Sequence, residues 1–141
     1  MVGRGRARIW PWVVSLALFG TVSTVHAAEL ISLPQGEWGC ELGAEKLIQG
    51  INAGLISKGW VITNRDTKGK IEAQVIVRDK HKLVVDIIYT SKTFQITYKS
   101  SDNLNYSVGA EGGAVIHKNA NRWLGFIQND IALQLGALCT L

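Results

Sequence analysis

The sequence is short of the patterns that mark a reaction. It has no Gly-x-Ser-x-Gly turn to expose a nucleophile, and its glycine-rich stretch around Gly112-Gly113 lacks the Gly-Lys-Ser/Thr ending of a phosphate-binding loop. Its three histidines fall at no zinc-ligand spacing. Only two cysteines are present, Cys40 and Cys139, and they form no Cys-x-x-Cys pair. Internal repeats and low-complexity tracts are missing too. Ser107, His117 and Asp130 supply the residue types of a hydrolytic triad, yet no motif ties them together. Glu72 and Asp86 fall on one face of a predicted sheet, where both are expected to be solvated rather than paired as acid and base. The sequence therefore assigns no catalytic residue, no metal and no cofactor.

An excess of positive charge is present only on the surface of the count. The chain carries a formal +4, but Arg4, Arg6 and Arg8 precede an uncharged run from Ile9 to about Val25. All eleven acidic residues lie after that run, against twelve Lys and Arg, so the remainder is close to neutral at +1. The basic balance is no argument for nucleic acid. Basic residues, an apolar run and the small residues of Val25-His26-Ala27 read as a secretory signal, residues 1–27, cleaved before Ala28. The rival reading is a retained anchor, since the run from Ile9 to Ala28 is uncharged and nearly long enough to span a bilayer. Pro11 and the polar residues Ser15, Thr21, Ser23, Thr24 and His26 weigh against it, and no stable membrane insertion is expected after cleavage. Export to the periplasm or beyond makes the two cysteines a disulfide, Cys40 to Cys139. Cys40 is not a lipid-attachment site, because Glu37-Trp38-Gly39 precedes it.

What the chain does have is a run of alternating residues from Lys70 to Lys99. Ile71, Ala73, Val75 and Val77, then Leu83, Val85, Ile87 and Tyr89, then Phe94, Ile96 and Tyr98 occupy every second position. That period predicts three antiparallel strands with one apolar and one wet face. Trp60 to Thr63 adds a fourth strand. Ala44, Leu47, Ile48, Ile51 and Leu55 predict a helix before it, with Gly59 just past its end and Gly50 and Gly54 lying close against a neighbour, expected to be the sheet. Trp123, Leu124, Ile127, Ile131, Leu135 and Leu138 predict a final helix, capped by Asn119 or Asn121. The expected fold is α+β: a helix, a four-stranded antiparallel meander and a C-terminal helix, with both helices on one face of the sheet, in one domain over residues 28–141. Ser101 to about Ile116 reads as loop.

These elements resemble a family of small bacterial envelope proteins, many of them lipoproteins, with no established activity. The resemblance runs through the first helix into Gly59-Trp60, the strands, Ser101-Asp102-Asn103-Leu104-Asn105-Tyr106, and Ile116-His117-Lys118-Asn119-Ala120-Asn121-Arg122-Trp123. Ala120 stands where the pattern has tyrosine, and the lipid-attachment cysteine is missing. The resemblance implies fold and compartment, and no reaction.

Three surfaces remain as candidate sites. His117, Asn119, Asn121 and Arg122 gather polar groups at a helix start, where free N–H groups suit an anion. Arg78, Lys80, His81 and Lys82 form a basic hairpin tip, with Lys92 on another turn. Ile76, Val84 and Ile88 break the alternation on the wet face and form an apolar strip if they are adjacent; the segment around Leu30, Ile31, Leu33 and Trp38 equally explains them as its cover. The first expectation is a non-catalytic domain that binds another envelope component through the outer sheet face or the helix start near His117. The alternative is a small-molecule carrier with a pocket lined by Trp60, Tyr89, Tyr98 and Trp123. A hydrolase using His117 is the weakest.

Overall fold

A computed structural model describes residues 27–140. The candidate signal lies outside the described residues, except for Ala27. The element order is β1 (Ala27–Glu29), β2 (Gly36–Glu37), α1 (Ala44–Ile56), β3 (Val61–Arg65), β4 (Lys70–Val77), β5 (His81–Tyr89), β6 (Thr93–Asp102), β7 (Ser107–Val108), β8 (Ala114–His117) and α2 (Lys118–Leu138).

The architecture is α+β, with two helices and antiparallel sheets. The meander β3 to β6 forms as its alternation requires, with Ile71 facing Ile87 and Ile87 facing Ile96 across the strands. The expected four-stranded sheet is, however, five-stranded: β2 adds to the free edge of β6, giving the order β2-β6-β5-β4-β3. A second sheet, β1-β8-β7, stands where a loop was expected. Its strands have two to four residues, too few to show a period, and β1 pairs with a strand far away in the chain.

Both helices contribute to the same core as the inward strand residues, with Ile51, Leu55, Ile127, Ile131, Ile71, Ile87 and Phe94 all fully buried. A helix this apolar along one stripe forms because the stripe is buried. The glycine face of α1 meets α2 rather than the sheet. A Cβ on Gly54 would lie 2.7 Å from the main-chain N and Cα of Ile131, and one on Gly50 would lie 2.6 Å from a methyl of Leu135. Chain reversal after α1 follows from Gly59, whose φ of +78° suits a residue without Cβ. Its N–H bonds the Ile56 carbonyl and that of Trp60 bonds Leu55, the paired bonds that close a helix end. Trp60 then enters the core.

Cys40 and Cys139 are bonded, with Cα atoms 5.8 Å apart across a sequence separation of 99. The bond holds the approach to α1 beside the end of α2. No helix among the described residues is long and apolar enough to cross a membrane.

Candidate functional site

Two of the three candidate surfaces meet in one cleft. The turn between β4 and β5 places Arg78 and Asp79 at φ 55° and 54°, closed by a bond from the Lys80 N–H to the Val77 carbonyl. Positive φ at both central residues is the hairpin geometry that matches strand twist, and it ordinarily favours Asn-Gly. Arginine there is strained, a condition that costs roughly 1–3 kcal/mol and concentrates at functional positions. The strained tip faces the start of α2 across a hollow of about 310 Å³, lined by Val77, Arg78, His81, Leu104, His117, Asn119 and Trp123.

The bend after β6 connects the two histidines. Asn103 and Asn105 take positive φ, which asparagine tolerates better than most side chains, and Leu104 between them is buried. The Asn103 carbonyl lies 2.7 Å from His81 Nδ1, and the next carbonyl, of Leu104, accepts the His117 backbone N–H at 2.8 Å. A carbonyl only accepts, so neutral His81 carries its proton on Nδ1 and presents Nε2 as an acceptor. His117 is the N-cap of α2, and its Nδ1 accepts the Asn119 N–H at 3.2 Å. Neutral His117 therefore holds the opposite tautomer, with its proton on Nε2. The cleft brings together the Arg78 guanidinium, the His81 imidazole, the His117 cap of α2 and the half-buried Trp123 indole. That combination suits recognition of an anionic or mixed donor–acceptor group.

The cap is His117, and neither asparagine takes that place. Asn119 contributes its backbone N–H to the cap. Asn121 turns to the N-terminal segment: its Oδ1 accepts the Ile31 N–H at 3.1 Å and its Nδ2 donates to the Glu29 carbonyl at 2.7 Å. Arg122 is exposed.

The outer face of the large sheet carries no continuous apolar strip. Ile76 pairs with Lys82 and Ile88 with Lys70, at opposite ends of the β4–β5 ladder and about 20 Å apart by strand rise. Ile76 and Ile88 are 54% and 50% exposed, whereas Val84 is buried. The N-terminal segment does not cover them, since Leu30, Leu33 and Trp38 pack against the core and Trp38 stacks on Phe94. Between them lies a charged cluster. Glu72 faces Asp86 directly across the strands, and Lys99 bonds Glu72 while standing 3.8 Å from Asp86 Oδ1. Thr63 donates to the other Glu72 oxygen at 2.7 Å. The hydrogen bond from Lys99, then that from Thr63, holds the Glu72 carboxyl below its usual pKa, and the bond to Glu72 holds Lys99 above its own. Lys99 thus bridges the two carboxylates on an open face, bonding Glu72 and standing at ion-pair distance from Asp86.

Other constellations do not assemble. Asp130 lies about 20 Å along α2 from His117 at the helical rise, and bonds Ser57 and pairs with Lys58. Ser107 sits on the exposed strand β7. Trp60 is 1% exposed inside the core, and Tyr89, Tyr98 and Trp123 border three separate hollows. Among the described residues, no group of three or more His, Cys, Asp or Glu is placed to hold a metal. No protein-family model, curated protein or solved structure matches the chain. A larger hollow of about 500 Å³ beside Cys40 is bordered by Glu37, Glu41 and Lys92. Its mixed charges and shallow form converge on no ligand atom, so the smaller histidine cleft carries the stronger chemistry. Sequence reasoning named both of its halves, His117 and the hairpin tip, as separate surfaces. It missed Leu104 and Asn103, whose only signal is a pair of asparagines flanking a leucine.

Proposed function

We propose that this chain is a non-catalytic binding module of the bacterial cell envelope, acting in the periplasm or outside the cell, and that its partner docks through an anionic group in the cleft between Arg78, His81 and the start of α2. The observation that supports this reading is the convergence of three remote segments on one hollow with a strained arginine at its rim. Strain of that kind persists only where surrounding structure enforces it. The Cys40–Cys139 bond fits an oxidising compartment, which is where the secretory signal read from residues 1–27 would direct the chain. The near-neutral charge of the remainder favours a defined anionic contact over bulk attraction to a polyanion.

The reading is tested by comparing two single variants in co-purification from the native envelope. Arg78→Ala is expected to lose the partner while Ile88→Lys, on the outer sheet face, keeps it, with both chains folded by circular dichroism. Loss in Ile88→Lys with retention in Arg78→Ala would move the site to the sheet.

A further inference from the structure

We propose that the anionic group seated in this cleft is the C-terminal carboxylate of a peptide chain whose last side chain is apolar; this rests on the cleft reading above and names its ligand. The hollow between the β4–β5 hairpin and α2 measures about 310 Å³, at the lower end of the roughly 300–1,000 Å³ of pockets that take small organic groups. It is also more enclosed than the larger hollow beside Cys40. An inorganic oxyanion would use only its polar lining. The remaining lining is apolar: Leu104 is 2% exposed, and Val77 and Trp123 are half-buried. An apolar body placed against those three side chains gains by leaving water.

The polar lining asks for two things at once. Arg78 offers a guanidinium, whose planar fork matches a carboxylate. His81 asks for the opposite. Its Nδ1 lies 2.7 Å from the Asn103 carbonyl, which only accepts, so the neutral ring presents Nε2 as an acceptor and takes a proton donor from the ligand. His81 pairs with Val77, the residue before Arg78, so cation and acceptor stand on one hairpin end. His117 Nδ1 is committed to the cap of α2, accepting the Asn119 N–H at 3.2 Å. The required ligand therefore carries a carboxylate, an N–H donor and an apolar body close together. The last residue of a peptide holds all three on a single carbon, and capture of a terminal carboxylate is a recurrent mode of peptide recognition. A bare oxyanion lacks the body, and the side-chain carboxylate of aspartate or glutamate does not bring an apolar group on the same carbon.

The isotope-labelled chain is titrated at mildly alkaline pH, where His81 is neutral, and followed at the amides of residues 78–81, 104 and 117–119. N-acetyl-leucine is expected to shift them saturably. Its C-terminal amide, which lacks the charge, should bind at least about tenfold more weakly. N-acetylglycine lacks the body and should lose about tenfold; N-acetyl-N-methylleucine lacks the N–H and should lose several-fold. Inorganic phosphate should bind, but more weakly than N-acetyl-leucine. In His81→Ala the loss on N-methylation should vanish while the loss on amidation persists, a coupling that a merely structural role for the ring would not produce. N-acetyl-leucine binding no tighter than phosphate, its amide or N-acetylglycine would overturn the proposal and leave the cleft a site for bare anions. No saturable shift at these amides with any probe, phosphate included, would remove the cleft reading itself, and the proposal with it.

Discussion

His81 and His117 are held by consecutive carbonyls of one bend, the first through its ring and the second through its backbone N–H. The bend at Asn103 and Leu104 thereby sets both imidazoles, and the β4–β5 hairpin, relative to α2. Because Leu104 is buried, the cleft geometry is tied to the core rather than to the flexibility of a surface turn.

The first prediction concerns the cap. His117→Ala removes the acceptor for the Asn119 N–H and should cost about 1 kcal/mol of unfolding free energy in urea. His117→Asn restores an acceptor of a favoured capping type and should recover most of that loss. Equal destabilisation by both variants would place the histidine's contribution outside the cap.

The second concerns the helix crossing. Gly54→Ala forces a methyl into the backbone of Ile131 and should cost roughly 1–3 kcal/mol. Gly125→Ala provides the contrast, because nothing lies within 4 Å of its new Cβ. There the removal of a flexible residue from a helix interior should be neutral or stabilising, by up to about 1 kcal/mol. Thermal melts of the pair check the sign of each.

Stability against pH should reflect the cluster on the open sheet face. Glu72 has a lowered carboxyl pKa, so its contribution is present above its unfolded value near 4.5 and lost as pH falls through the folded one. Lys99 has a raised pKa, so its contribution is complete below its unfolded value near 10.5 and lost as pH rises through the folded one. Glu72→Gln should therefore flatten the acid limb while leaving neutral-pH folding intact. Urea midpoints measured from pH 3 to 11 show whether the variant's curve lies below the parent's through the middle of the range and converges with it at both ends.

The disulfide should matter more than any surface pair. In the chain-entropy description, a closure of this length contributes on the order of 4 kcal/mol. Reduction, or Cys40→Ser with Cys139→Ser, should lower the urea midpoint accordingly with α1 and α2 still formed. An unchanged midpoint would mean that the two helix ends are held without the bond.

The sheet and both helices were legible because their apolar residues repeat over long spans. Ile71 to Tyr98 alternate through three strands, and Leu47, Ile51 and Leu55 mark one helical stripe. β1, β2, β7 and β8 were not legible, since two to four residues carry no period and their partners are set by tertiary contacts. Gly50 and Gly54 announced a close approach, but glycine spacing alone does not name the neighbour, which is α2. The cleft was half legible. His117 and the basic tip each stood out, while their meeting depends on the backbone of Asn103 and Leu104, and backbone carbonyls have no sequence signature. Asn121 looked like a ligand or a cap and instead binds the N-terminal arm.

The measurement that most directly tests the cleft as the binding site is a titration of the isotope-labelled chain with inorganic phosphate, followed amide by amide. The account predicts saturable shifts concentrated at residues 78–81, 104 and 117–119, abolished by Arg78→Ala and weakened by His81→Ala. Weak, non-saturating shifts spread over Lys46, Lys58, Lys92 and the other exposed cations would contradict it.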